Sequence, residues 1–109
     1  MIRIRKLIYG ATGVLFLAAA LVPAAHGDAG ATYKQKCTPC HAADGSGNNP
    51  MGKTLKVPDL RSPEVQKKTD AELTEIITTG KDKMPAYGKT LKPEDIKDLV
   101  AFIRSIAAK

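Results

Sequence analysis

Cys37-Thr38-Pro39-Cys40-His41 is the stretch on which the reading of this chain turns. It sets two thiols three positions apart and follows the second directly with an imidazole. A bare C-x-x-C can be a thioredoxin-like redox pair, half of a zinc site or a short structural disulfide. The redox pair belongs in a strand–helix–strand setting, and no convincing period-2 alternation occurs here to supply the strands. A zinc site needs further ligands, yet the only other histidine, His26, falls in an apolar N-terminal segment with the look of a leader. A disulfide closing so small a loop stabilises little. What remains is C-x-x-C-H, the attachment signature of c-type haem. The two thiols add across the vinyl groups on one side of the porphyrin, and His41 is then held beneath the iron as its proximal ligand.

Attachment of this kind takes place outside the cytoplasm, and the N-terminus supplies export independently. Met1 to Lys6 is basic, Leu7 to Val22 is free of charge, and Ala25-His26-Gly27 fits the small-x-small pattern of a processing site. This is the layout of a secretory signal peptide. Residues 1–27 are therefore expected to be cleaved, leaving a monohaem domain of residues 28–109 in the periplasm. An uncleaved anchor is the other reading, but the uncharged run contains Gly10 and Gly13 and is short of the roughly 20 residues of a membrane span.

The remaining 82 residues carry 18 large apolar side chains, and all 11 acidic residues of the chain lie among them. A domain of that size commonly needs a disulfide, a metal or a cofactor to complete its core. Its charge excess is only +3 once Arg3, Arg5 and Lys6 are set aside. A nucleic-acid partner is excluded on that ground.

Helical signals dominate. Ala29 to about Cys40 follows Asp28 as a candidate N-cap. Ser62-Pro63-Glu64 combines an N-cap, a proline at the first helical position and an acid in the first turn. Thr69-Asp70-Ala71-Glu72 is a capping box opening a helix with Leu73, Ile76 and Ile77 on one face and Gly80 at its end. From Pro93 onward, Ile96, Leu99, Val100, Ile103 and Ile106 recur at helical spacing, although Lys92 is a poor cap. Two long loops, Ala42 to Arg61 and Lys81 to Lys92, are expected between them. Loops of that length in a small domain usually wrap something.

A haem iron held by one histidine needs a sixth ligand or an open position. With no second histidine in residues 28–109, Met51 and Met84 are the candidates. Reach does not choose between them, since even the segment from His41 to Met51 can extend roughly 30 Å. Context favours Met84, which lies between two amphipathic helices and is restrained by Pro85. Met51 lies in a polar turn, and either methionine could instead fill a gap in the core.

These features together resemble the class I c-type cytochromes, the small monohaem electron carriers. The resemblance covers essentially all of residues 29–109. It rests on Tyr33 ahead of Cys37-Thr38-Pro39-Cys40-His41, on Val57-Pro58-Asp59-Leu60, on Gly80-Lys81-Asp82-Lys83-Met84-Pro85-Ala86-Tyr87, and on Leu99-Val100-Ala101-Phe102-Ile103. It implies an all-α fold of about four helices around one covalently bound haem c, with the first and last helices crossing. Ala29, Gly30 and Tyr33 would then meet Leu99, Phe102 and Ile103. It implies Cys37 and Cys40 as attachment points, His41 and Met84 as iron ligands, Leu60 against the haem, and the Pro58 carbonyl accepting from His41 Nδ1–H. Val57 stands where the family usually has glycine, and Lys92 where it has a Ser, Thr or Asp cap. Tyr87 is expected chiefly as packing, a bond to a haem propionate being the other reading.

The resemblance further implies a periplasmic one-electron carrier, monomeric and not an enzyme, shuttling between a redox donor and an acceptor. Lysines 34, 36, 53, 56, 81, 83 and 89 flank the motifs and would steer it to acidic patches on those partners. Two other functions are compatible with the same residues. One is a small haem peroxidase or gas-binding sensor in which the methionine leaves. The other is a tethered electron-entry module of a membrane oxidase complex.

Overall fold

The computed structural model describes residues 28–108, together with Gly10 and Gly13. The expected signal peptide lies outside the described residues. Six helices follow in order: α1 Ala29–Lys36, α2 Thr38–His41, α3 Pro50–Leu55, α4 Pro63–Gln66, α5 Asp70–Thr79 and α6 Pro93–Ser105. Among the described residues there is no β-strand, only an isolated bridge between Lys81 and Met84. The fold is all-α, as expected, with two more helices than the four anticipated.

Both differences in the N-terminal half have local causes. The first expected helix is divided at Cys37, because Pro39 has no N–H to continue the ladder of α1. Cys37 N–H still donates to Tyr33 O (2.8 Å), and His41 N–H then donates to Cys37 O (2.8 Å), so α2 forms a separate turn. The additional helix, α3, occupies part of the expected Ala42–Arg61 loop. Asn49 caps it by accepting from Gly52 N–H (2.6 Å), Pro50 takes the first helical position, and Lys56 ends it in a left-handed conformation.

The remaining helices start where their caps place them. Asp28 accepts from Gly30 N–H (3.0 Å). The capping box of α5 closes through Glu72 N–H to Thr69 Oγ1 (3.1 Å) and Thr69 N–H to Glu72 Oε1 (3.3 Å). At the start of α6 the ammonium of Lys92 cannot accept, but Asp95 compensates by accepting from the Lys92 N–H (3.2 Å). Satisfying these otherwise orphaned N–H groups is worth roughly 1 kcal/mol per cap.

The core is a single cluster in which α6 supplies Ile96, Leu99, Val100 and Ile103, all buried. Each such side chain contributes about 1.5–3 kcal/mol of burial. Helices α1 and α6 pack against one another, with the rings of Tyr33 and Phe102 tilted at a centroid distance of 4.7 Å. Gly30 also faces Phe102, although a Cβ there would make only an ordinary contact with that ring, at 3.9 Å.

A polar hub fastens the far end of α6. Gln66 Nε2 donates to both Leu60 O (2.8 Å) and Ile103 O (2.9 Å). Arg104 donates to Gln66 O (2.8 Å), to the Lys68 carbonyl and to Asp70 Oδ1 (2.9 Å). Leu60 and Lys68 are thereby held at fixed places in the wall of the cavity described next.

Candidate cofactor site

Between α5, α6 and the attachment turn lies a cavity of about 350 Å3, inside the range of roughly 300–1,000 Å3 usual for ligand pockets. Cys37, Cys40, His41 and Met84 all line it. Met51 does not, and its side chain is 51% exposed. The two candidate methionines are therefore placed in different surroundings, the favoured Met84 lining the cavity and Met51 facing solvent. Leu60, Leu73, Ile77, Leu99 and Ile103 give the cavity an apolar lining.

His41 is buried, and burial pushes its imidazole below the usual histidine range. At neutral pH it is an uncharged nitrogen base, the form that binds a metal. Its Nδ1 is buried without a hydrogen-bond partner among the described residues. The expected bond from His41 Nδ1 to the Pro58 carbonyl is therefore not made in this structure. Nearby, Val57 packs on Gly47, where a Cβ would lie 2.6 Å from Val57 Cγ2.

Cys37 and Cys40 are free thiols, each half-buried. Burial, with the neighbouring Cys40 adding to it, pushes the Cys37 thiol up to about 11. A thiol held protonated in this way is a poor redox nucleophile. It is compatible with a site whose sulfurs become neutral thioethers.

The turn carrying these residues is braced from behind. Asn49 Nδ2 donates to Thr38 O (3.1 Å) and Pro39 O (3.3 Å) while its Oδ1 caps α3. A Cβ on Gly52 would run into the backbone oxygens of both Gly47 and Cys40, so only glycine lets α3 abut the attachment turn. Directly after His41, Ala42 adopts φ 65°, ψ 164°, a region that strains any residue with a side chain. Tyr33 secures it by donating from its hydroxyl to Ala42 O (2.7 Å). Burial is the main reason that hydroxyl is pushed up to about 12, followed by Cys37 and Asp44. Sequence reasoning singled out Tyr33 but neither Asn49 nor Gly52. The signal for both lay in Asn49-Pro50, a cap followed by a first-turn proline.

On the opposite side, Met84 is presented by the turn Lys81-Asp82-Lys83-Met84. Met84 N–H donates to Lys81 O (2.9 Å), Lys81 N–H donates to Met84 O (3.2 Å), and Asp82 takes a left-handed φ of 52°. Gly80 is required where this loop leaves α5: its φ is 77°, and a Cβ would lie 2.7 Å from Met84 O. Tyr87 packs against the core, and its hydroxyl donates to Lys36 O (3.2 Å). Of the seven flanking lysines, Lys36, Lys56, Lys81 and Lys83 border the cavity, joined by Lys68, while Lys34, Lys53 and Lys89 do not. Asp82 interrupts the positive rim.

Two thiols, a neutral imidazole with an orphaned buried nitrogen and a thioether around one apolar cavity are a donor set that suits a covalently attached haem. Such a constellation on an all-α fold defines a c-type cytochrome. The chain belongs to that family, as a small class I member. A family model described as "Cytochrome C oxidase, cbb3-type, subunit III" matches residues 24–103. A cytochrome c6 of Rippkaea orientalis is 36% identical, the match covering 83% of this chain and 81% of the relative. A cytochrome c6 of Gloeothece citriformis is 35% identical over 88% of this chain and 87% of the relative. A solved structure, KustC0563 c-type cytochrome, superposes with a TM-score of 0.69 at 30% identity, covering 75% of this chain and all of that one. The cofactor of this chain is one covalently bound haem c, and the protein is an electron carrier. No helix among the described residues is long and apolar enough to cross a membrane.

Proposed function

We propose that Cys37 and Cys40 carry the haem as thioethers, that His41 and Met84 are its axial ligands, and that the protein is a periplasmic one-electron shuttle without enzymatic activity. In this reading residues 1–27 are a cleaved signal peptide and residues 28–109 work as a monomeric domain. The observation that carries it is the convergence of Cys37, Cys40, His41 and Met84 on one cavity while Met51 faces solvent.

When bound, the haem supplies one reversible electron at its iron. Met84 contributes a soft thioether that favours the reduced metal, and His41 contributes a neutral nitrogen. Were both residues to hold the iron, oxygen or a small substrate would find no free position on it. Leu60, Leu73, Ile77 and Leu99 exclude water and further disfavour the extra charge of the oxidised state. Lys36, Lys56, Lys68, Lys81 and Lys83 make the rim positive, which fits docking to acidic surfaces on a donor and an acceptor.

The test is the visible spectrum of the exported protein, oxidised and then reduced with dithionite. Sharp low-spin reduced bands at the position of a two-thioether haem support the reading, and a shift of those bands in Cys37→Ser shows loss of one thioether. A high-spin spectrum in the wild type overturns it in favour of an open iron site with peroxidase or gas-binding chemistry.

The matching family model names an oxidase subunit, and that observation favours a second reading, a tethered electron-entry module. N-terminal sequencing of the exported protein separates the two. A start near Asp28 supports the free shuttle, and a retained Met1 supports the tether.

A further inference from the structure

Met84 sits on a loop that is tied to its own side of the cavity by backbone bonds. Tyr87 N–H donates to Ile77 O (2.9 Å) and Gly88 N–H to Thr78 O (3.0 Å), both on α5. These bonds fix the loop to α5 but not across the cavity to the segment bearing Cys37, Cys40 and His41. Among the described residues, one hydrogen bond makes that crossing. It runs from the Tyr87 hydroxyl to Lys36 O (3.2 Å).

The acceptor is well placed for such a role. Lys36 is the last residue of α1, and its carbonyl is one of those that a helix leaves unpaired at its C-terminus. It adjoins Cys37, so a tether to it registers the Met84 loop against the attachment turn itself. Tyr87 is three residues from Met84, so this bond anchors the loop close to the residue that carries the thioether. The ring of Tyr87 packs on the core, so phenylalanine could supply the same packing without the tether.

We propose that Tyr87 is a positioning residue whose hydroxyl latches the Met84 loop to the end of α1 and keeps the thioether over the cavity. The proposal rests on Met84 being the axial ligand. The latch limits how often the loop opens, and so how readily a competing ligand reaches the iron. An exposed hydrogen bond of this kind is worth about 0.5–1.5 kcal/mol, equivalent to roughly a 2- to 10-fold change in an opening equilibrium.

The test uses the haem-loaded, oxidised protein and its Tyr87→Phe variant, mixed with rising concentrations of imidazole. Ligand entry gated by loop opening saturates at a limiting rate. The expected result is a limiting rate about 2- to 10-fold higher in Tyr87→Phe, with an unchanged reduced spectrum and an unchanged dependence of that rate on dilute guanidinium. Equal limiting rates in the two proteins overturn the latch. So does an acceleration confined to the guanidinium-dependent part, because that reports global destabilisation. A wild type that binds imidazole without saturation, and without a methionine–iron band beforehand, overturns the ligand assignment of Met84 and the latch with it. That outcome differs from equal, saturating rates, which overturn the latch alone.

Discussion

Both sides of the cavity set backbone against backbone at glycines, but on the His41 side three further backbone bonds knit the segment to itself, whereas on the Met84 side the loop is tied mainly to α5. Gly47 N–H donates to His41 O (2.8 Å), Leu60 N–H to Gly45 O (2.8 Å) and Val57 N–H to Gly52 O (3.0 Å), interlocking residues 41–60. Gly52 is buried against the Cys40 carbonyl with no room for a methyl group. The Met84 loop is packed as closely at its ends, where Gly80 abuts Met84 O and Gly88 abuts Thr78 O, but Lys81, Asp82 and Lys83 between them are exposed. His41 is thus held within one interlocked segment, and Met84 is carried by a loop with an exposed turn. A carrier whose iron must not bind stray ligands depends on how firmly that second segment is held.

This contrast can be broken most severely at Gly52. A Cβ there meets two backbone oxygens that cannot swing aside, so Gly52→Ala is expected to cost about 2–3 kcal/mol by overpacking. Denaturant unfolding of the haem-loaded protein measures it, and a variant as stable as wild type would mean that α3 does not brace the attachment turn. Asn49→Ala comes next. It removes the cap of α3 and the two bonds to Thr38 O and Pro39 O, for an expected loss of about 1–2 kcal/mol in the same assay.

Acid should act through carboxylates on the same side. Asp44 and Asp59 are lowered, by hydrogen bonds from Ser46 and from Arg61 respectively. Their contribution is complete above about pH 4 and is lost below it. The unfolding midpoint is accordingly expected to fall as pH drops below about 4, and a profile that stays flat there would contradict those hydrogen bonds.

How much of this was readable in advance depended on the kind of signal. α5 and α6 were legible because capping residues and apolar spacing agreed, with Thr69 and Glu72 at one start and Ile96, Leu99, Val100 and Ile103 along the other. α3 was not, because six residues with Met51 and Leu55 as their only large apolar side chains carry no period, and Asn49-Pro50 reads equally as a turn. The candidate attachment residues were picked out by the chemistry of C-x-x-C-H alone. Met84 was preferred over Met51 by its context and by the resemblance, since both are within reach of His41 along the chain, and the path of the intervening helices is what separates them in space. The Pro58 bond to His41 failed as an expectation for a related reason. It was carried by a family pattern alone, and backbone geometry at such a junction is not encoded in residue type.

The smallest expected effect concerns the rim. Lys36, Lys56, Lys81 and Lys83 have no ion-pair partner among the described residues, so their field is available to a partner but is screened by salt. Electron transfer to an acidic redox protein should slow moderately as ionic strength rises from about 0.01 to 0.15 M. A rate independent of salt would remove steering while leaving the site intact.

The central claim is that Met84, and not the exposed Met51 of α3, closes the iron site. The weak far-red band of methionine-ligated ferric haem tests it directly, recorded in the wild type, Met84→Ala and Met51→Ala. The band is expected in the wild type and in Met51→Ala and absent from Met84→Ala. Its persistence in Met84→Ala, or its loss in Met51→Ala, would contradict the account.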